Sequence, residues 1–204
     1  MLDTDPSVKE AGIDAGYAPA PGMLRAPDIA IGNVPDQRGW IQGVPPLAVE
    51  YAGSGQDEKE LQDKIADFLG AGTRMVWVVR LVGPRRIEVH EPGKPERTVG
   101  PGEHLAAPGI LRNTYPVEAF YERPTAHSLT FRNLLQREGY ESLDEVRAEA
   151  GAEVRAEALL TVLEARGLPL TDAERARIRG CHDAEQVTEW LRRAASATRI
   201  ADVL

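Results

Sequence analysis

Residues 46–55 read PLAVEYAGSG and place one carboxylate inside an apolar run that is bounded by proline and glycine. Side chains alternate along a strand, so Leu47, Val49 and Tyr51 share one face. Glu50 lies on the opposite face between two alanines, which leaves room beside its carboxylate. Burying an unpaired carboxylate costs on the order of several kcal/mol, so we expect a cation or hydrogen-bond donors beside Glu50. The alternative is a glutamate at a strand end that faces water or pairs with an arginine.

The segments around this strand alternate between strand and helix. Residues 57–69 place apolar side chains at i, i+4, i+7 and i+8, which predicts a helix with one buried face. The continuous apolar run at residues 75–79 is typical of a strand covered on both sides. Further strands are predicted over residues 28–31, 86–90 and 96–99. The pattern indicates an α/β domain over residues 26–122, preceded by an irregular lead-in over residues 1–25.

Two further residues could act together with Glu50. Asp28 follows a proline at the entrance of the first predicted strand, so it is either a turn residue or a second carboxylate beside Glu50. Two carboxylates plus waters suit Mg²⁺ or Mn²⁺. Lys64 lies on the flank of the predicted helix. It either pairs with Glu60 on the surface or points its ammonium group at the metal site.

The order and spacing of these segments resemble the Uma-two family of bacterial endonucleases, which belongs to the PD-(D/E)xK, restriction-endonuclease-like superfamily. The resemblance covers about residues 26–122 and rests on Pro27-Asp28, Pro46 to Glu50, Lys64 in a helix, and Gly72 to Val79. It implies a mixed-sheet core and Mg²⁺-dependent hydrolysis of phosphodiester bonds in DNA. On that pattern Asp28 and Glu50 match the metal-binding acids. Lys64 matches the catalytic lysine displaced from the strand onto the helix.

A non-catalytic role is the competing hypothesis. Ala52 occupies the position where the superfamily usually has the lysine of its Glu-x-Lys motif. The family also has a longer N-terminal portion with an acidic helix, where this chain has only the lead-in. These departures favour an inactive nuclease-fold scaffold that acts in binding or self-association.

The last part of the chain, residues 123–204, has the pattern of a helical arm. Ser142 and Thr171 each precede a glutamate by three positions, which is the pattern of a capping box. Helices are predicted over residues 146–166 and 184–195. The first of these is polar on most sides, so we expect it to project or to pair with another chain in a homo-oligomer.

Composition limits the classes of function. The chain has 204 residues, with 32 Asp and Glu against 24 Lys and Arg, and the net charge of -8 argues against a protein that coats nucleic acid by bulk attraction. A single cysteine, Cys181, excludes an internal disulfide framework and a cysteine-based zinc site. The acidic start of the chain does not resemble a secretory signal, and no apolar run is long enough for a membrane helix, so we expect a cytoplasmic protein. Four histidines show no metal-ligand spacing and are interpreted as surface or loop residues: His90, His104, His127 and His182.

Overall fold

The Glu50 strand lies in the interior of a mixed β-sheet in the computed structural model, which describes residues 1–55 and 57–204. The strands are β1 (Ala11–Ile13), β2 (Tyr17–Ala20), β3 (Met23–Arg25), β4 (Ile29–Ile31), β5 (Ile41–Gln42), β6 (Leu47–Ala52), β7 (Met75–Arg80), β8 (Arg86–His90), β9 (Arg97–Val99), β10 (His104–Leu105) and β11 (Tyr115–Pro116). The α-helices are α1 (Glu58–Gly70), α2 (Arg123–Arg137), α3 (Leu143–Ala165), α4 (Asp172–Arg179) and α5 (Ala184–Ala194). Short 3-10 turns cover Leu2–Thr4, Val117–Phe120 and Ile200–Asp202. The predicted fold class, α/β with a mixed sheet and C-terminal helices, is confirmed.

The main sheet has the strand order β1-β4-β6-β7-β8-β9. Strands β6 and β7 are parallel, and the other neighbouring pairs are antiparallel. Parallel neighbours need a crossover connection, which α1 supplies. Strands β6 and β7 lie at the centre of the sheet and contribute side chains to apolar cores on both faces, which explains why their sequences are apolar.

Each face of the sheet is covered by a different apolar core. Leu47, Val49 and Trp77 belong to the core on one face. Ala48 and Ala52 belong to the second core, which includes the buried side of α1. The predicted alternation along the Glu50 strand is confirmed, and it places Glu50 on the face that α1 covers.

Helix α1 begins where its sequence predicts. The side chain of Asp57 accepts hydrogen bonds from the backbone N–H groups of Lys59 and Glu60 at 2.9 and 3.1 Å, so it caps the first turn. Three apolar side chains of α1 are buried: Leu61, Ile65 and Phe68. The cap sets where the helix begins, and the buried side chains set its rotation. The flank that carries Lys64 therefore lies next to β6.

The predicted irregular lead-in differs from the structure. Residues 1–25 contain β1, which forms one edge of the main sheet, and β2 and β3, which form a small sheet with β5. These strands are three or four residues long and are separated by glycine and proline. A segment this short cannot display an alternating pattern, so these strands are recognised only from their pairing in the structure.

The division of the chain also differs from the predicted one. The two compact units are Met1–Glu138 and Gly139–Leu204, so α2 belongs to the first unit instead of the helical arm. The Arg137 guanidinium donates to the carbonyls of Asp3, Asp5 and Val8 at 2.7, 3.0 and 2.8 Å. These contacts join residues more than 125 positions apart, which local sequence patterns do not show.

The second unit, Gly139–Leu204, consists mainly of α3, α4 and α5. Its predicted capping residues are confirmed, because Ser142 accepts from the N–H of Glu145 and Thr171 forms a complete capping box. The second half of α3 packs within this unit, so it does not project as expected; pairing of the first half with another chain stays a prediction. Among the described residues, no helix has the length and apolar character that a membrane span requires. The apolar core of the unit includes Leu159, Leu163, Ile178, Val187 and Trp190.

Candidate active site

Glu50 and Lys64 meet at the boundary between β6 and α1. The Lys64 ammonium donates to Glu50 Oε2 at 2.7 Å. The Glu50 side chain is 7% exposed and that of Lys64 is 22% exposed, so the pair is largely shielded from water. Lys64 therefore points toward the sheet, and its ion pair is with Glu50 in place of the alternative partner, Glu60.

Glu50 lies in an unusual electrostatic environment for a carboxylate. Burial raises its pKa from 4.5 to about 7, although the hydrogen bond and the charge of Lys64 lower it. The negative charges of Asp28 and Asp14 raise the pKa further. Glu50 Oε1 is buried and has no hydrogen-bond partner among residues 1–55 and 57–204. The carboxylate thus has one oxygen held by Lys64 and one oxygen able to accept a cation.

Asp28 immediately precedes β4 and lies opposite Glu50 of the neighbouring strand β6. The antiparallel register pairs Ile29 with Val49, so one step further along places Asp28 opposite Glu50. Asp28 Oδ2 accepts the backbone N–H of Tyr51 at 2.6 Å, which fixes the orientation of this half-buried carboxylate. The two predicted strands are therefore neighbours, and Asp28 adds negative charge beside Glu50.

Asp14 is a third acid near Glu50, and its role could not be predicted from the sequence. It follows β1 with a φ of 50°, a conformation that non-glycine residues adopt rarely and most often when they are Asp or Asn. Its backbone N–H donates to the Asp28 carbonyl at 3.2 Å. Its exposed carboxylate contributes to the negative field at Glu50. The only local signal was Asp14-Ala15-Gly16, a composition common in turns.

The donors around Glu50 fit a hard divalent cation. Glu50 Oε1 lacks a partner, and the neighbouring acids offer only oxygen atoms, which Mg²⁺ and Mn²⁺ prefer. Asp14, Asp28 and Glu50 do not bring three ligand atoms within 4.8 Å of one another. Mg²⁺ commonly binds through one or two carboxylates and keeps several waters, so fewer than three protein ligands are compatible with this ion.

A separate group of three side chains does meet that distance criterion. Ligand atoms of Glu88, His90 and Glu96 lie within 4.8 Å of one another, the one such group of His, Cys, Asp or Glu in the described part of the chain. His90 is only 9% exposed, so its interpretation as an ordinary surface or loop histidine is wrong. Burial is the main cause that lowers the pKa of His90 and favours the neutral imidazole.

Comparisons with known proteins found a similar solved structure. No family model and no curated protein matches the chain. The chain is similar to the crystal structure of a candidate nuclease belonging to DUF820 from Anabaena variabilis ATCC 29413, with 16% identity and a TM-score of 0.49. The match covers 57% of this chain and 70% of that chain. DUF820 is another name for the Uma-two family.

Proposed function

We propose that the chain is a metal-dependent DNA endonuclease. In this proposal Asp28 and Glu50 hold Mg²⁺ or Mn²⁺, and Lys64 acts at the reacting phosphate. The observation that carries the proposal is the buried contact between Lys64 and Glu50, in which Glu50 Oε1 has no partner within the described residues. The resemblance of Asp28, Glu50 and Lys64 to the Uma-two pattern supports the choice of phosphodiester hydrolysis.

Each side chain has a separate role in this mechanism. A bound divalent cation supplies Lewis acidity and lowers the pKa of a coordinated water. Glu50 contributes Oε1 as a ligand while Lys64 holds Oε2, and the Tyr51 N–H keeps Asp28 oriented toward the same region. The Lys64 ammonium would also align the attacking water and offset the negative charge that develops on the phosphate oxygens. Asp14 strengthens the attraction for the cation from the solvent side.

DNA is the substrate in this proposal because the family resemblance implies it. The net charge of -8 repels a polyanion at long range, so binding must depend on local cations. A divalent ion at Glu50 would offset the excess negative charge of Asp14, Asp28 and Glu50 over Lys64. DNA binding is therefore expected to be stronger with the metal than without it.

The proposal is tested by cleavage of plasmid and single-stranded DNA with and without Mg²⁺ or Mn²⁺. Glu50→Ala and Lys64→Met are expected to lower the rate by at least ~100-fold, the usual effect of removing a group that stabilises the transition state. Glu60→Ala is the matched control, because Glu60 lies exposed on the same helix and should leave the rate unchanged. Cleavage by Glu50→Ala at the wild-type rate would exclude the mechanism.

The second candidate function is a non-catalytic scaffold that self-associates or binds a partner through residues 139–204. It is supported by exposed apolar side chains on α3, where Leu143 is 38% and Val154 is 71% exposed. This function is indicated if the wild-type chain neither cleaves DNA nor binds Mn²⁺. Light scattering of the fragment 1–138 and the full chain tests self-association. An equal number of subunits in both would remove that role from the helical unit.

A further inference from the structure

The hairpin formed by β8 and β9 gathers three side chains that can bind metal ions on one face. Glu88 and His90 are two residues apart in β8, so their side chains point to the same side of the sheet. The antiparallel register pairs Glu88 with Thr98, and two further steps toward the turn bring Glu96 opposite His90. Pairing of the two hairpin strands therefore brings Glu88, His90 and Glu96 together in one cluster.

The distances within this hairpin cluster are suited to an ion. All three ligand atoms lie within 4.8 Å of one another, and His90 Nε2 is 3.9 Å from Glu96 Oε2. Glu88 and His90 are 6% and 9% exposed, whereas the Glu96 side chain is 45% exposed. The cluster is thus closed on the protein side and open to solvent at Glu96.

His90 provides the observation that points to a ligand. Its Nε2 is buried and has no hydrogen-bond partner in the part of the chain that the structure describes. A buried polar atom without a partner is unfavourable, because it has lost its hydrogen bonds to water. The nitrogen faces Glu96 Oε2 at a separation too long for a hydrogen bond, and a metal ion between the two atoms would satisfy both.

The arginines around Glu88 hold its two oxygens unequally. Arg80 Nε donates to Glu88 Oε2 at 2.7 Å, and Arg86 Nε donates to Oε1 over the longer distance of 3.3 Å, which leaves Oε1 the more weakly held oxygen. Arg80 also forms two hydrogen bonds with Glu58, at 2.7 and 2.8 Å, so its charge is shared between two carboxylates. This arrangement orients Glu88 as outer partners orient a metal ligand, and Oε1 is the oxygen that can bind an ion.

We propose that Glu88, His90 and Glu96 form a binding site for Zn²⁺ or a similar divalent transition metal. One imidazole nitrogen with two carboxylates suits Zn²⁺, whereas Mg²⁺ prefers oxygen ligands alone. Three protein ligands leave a fourth position for water or a small ligand. The site is distinct from the one at Glu50, because Glu50, Val78 and Glu88 occupy one row across three strands. Two strand spacings amount to roughly 10 Å, which is too far for one ion to bridge.

The test is Zn²⁺ titration of the EDTA-treated full chain by calorimetry. His90→Gln and Glu96→Gln are expected to weaken binding by at least ~100-fold, since even outer partners of a metal ligand contribute roughly 10–100-fold to affinity. Glu96 is the safer variant for folding because its side chain is half-exposed. His104→Gln removes an exposed histidine and serves as the matched control, and Glu50→Gln separates this site from the proposed nuclease site.

Histidine resonances give a second readout that does not depend on activity. In long-range ¹H–¹⁵N spectra, Zn²⁺ should shift the ring nitrogens of one histidine among the four, and His90→Gln should remove that signal. Zn²⁺ binding that His90→Gln and Glu96→Gln leave unchanged would overturn the proposal. So would a wild-type chain whose His90 resonance does not respond to Zn²⁺. Loss of DNA cleavage in Glu50→Gln with Zn²⁺ binding intact would show that the two sites are independent.

Discussion

The Glu50 carboxyl group connects the folding of this chain with its proposed chemistry. Its pKa rises from 4.5 to about 7, mainly because the group is buried. The folded state therefore binds more protons at Glu50 than the unfolded state does between these two values. The stability that Glu50 contributes is fully present below about pH 4.5, falls as the pH rises, and is lost above about pH 7.

Replacing Glu50 by glutamine should remove this pH dependence. Between pH 4.5 and pH 8 in EDTA, wild type should lose stability that Glu50→Gln keeps. The free energy of unfolding of the variant minus that of wild type should therefore rise with pH, by at most about 3 kcal/mol. Urea denaturation at several pH values measures the difference. Glu60→Gln, an exposed change on the same helix, should show no such trend. A difference between Glu50→Gln and wild type that stays constant with pH would contradict the assigned environment.

The positions of single side chains could be predicted from the sequence where local periodicity sets them. Strand alternation placed Glu50 on its face, and helix spacing placed Lys64 on the flank of α1. Asp14 was missed because its position depends on a positive φ and on a bond to the Asp28 carbonyl. His90 was misjudged because Glu96 reaches it only through the register of a hairpin.

Among the elements, the N-terminal turn is fixed to the domain by a buried acid. Asp5 is fully buried, and its carboxylate accepts from the N–H groups of Arg112 and Asn113 and from the Tyr115 hydroxyl, at 2.8–2.9 Å. Tyr115 also accepts from the Asn133 amide of α2 at 2.9 Å. The network joins the start of the chain to α2 and to the loop before β11.

Asp5→Ala should therefore destabilise the first unit by about 3 kcal/mol or more, because four donors, among them the Ser7 N–H, lose their acceptor. Asp3→Ala is the control, since the Asp3 side chain is 62% exposed and should contribute less than about 1 kcal/mol. Chemical denaturation of both variants compares them. Equal stabilities would mean that the network does not hold the N-terminal turn in place.

Long elements could be predicted from the sequence, and very short elements could not. Strands β6 and β7 have six residues each, and helix α1 has 13, which is enough for a clear period. The strands β5, β10 and β11 have two residues each, so no pattern exists to be read. Strand β5 pairs with the longer β2, whereas β10 and β11 pair with each other, so these elements form only where tertiary structure brings backbone groups together.

For the whole molecule, the boundary after Glu138 gives a prediction about fragments. Fragment 1–138 should unfold cooperatively, because it keeps Asn133 and Arg137. Fragment 1–122, cut at the boundary expected from sequence, loses both residues and should unfold at lower urea concentration or fail to fold. Near-ultraviolet circular dichroism and urea denaturation test this. Equal stability of the two fragments would place the boundary at residue 122 after all.

Metal binding by Glu50 is tested most directly by the affinity of the full chain for Mn²⁺, measured by calorimetry. The His90→Gln background is used so that Mn²⁺ binding at the hairpin cluster does not contribute. We expect one bound ion, and we expect the additional change Glu50→Gln to weaken its binding by at least ~10-fold, because it removes a carboxylate ligand. Glu60→Gln in the same background should leave the affinity unchanged. Equal Mn²⁺ affinity with and without the Glu50 carboxylate would contradict the central claim that Glu50 binds the catalytic cation.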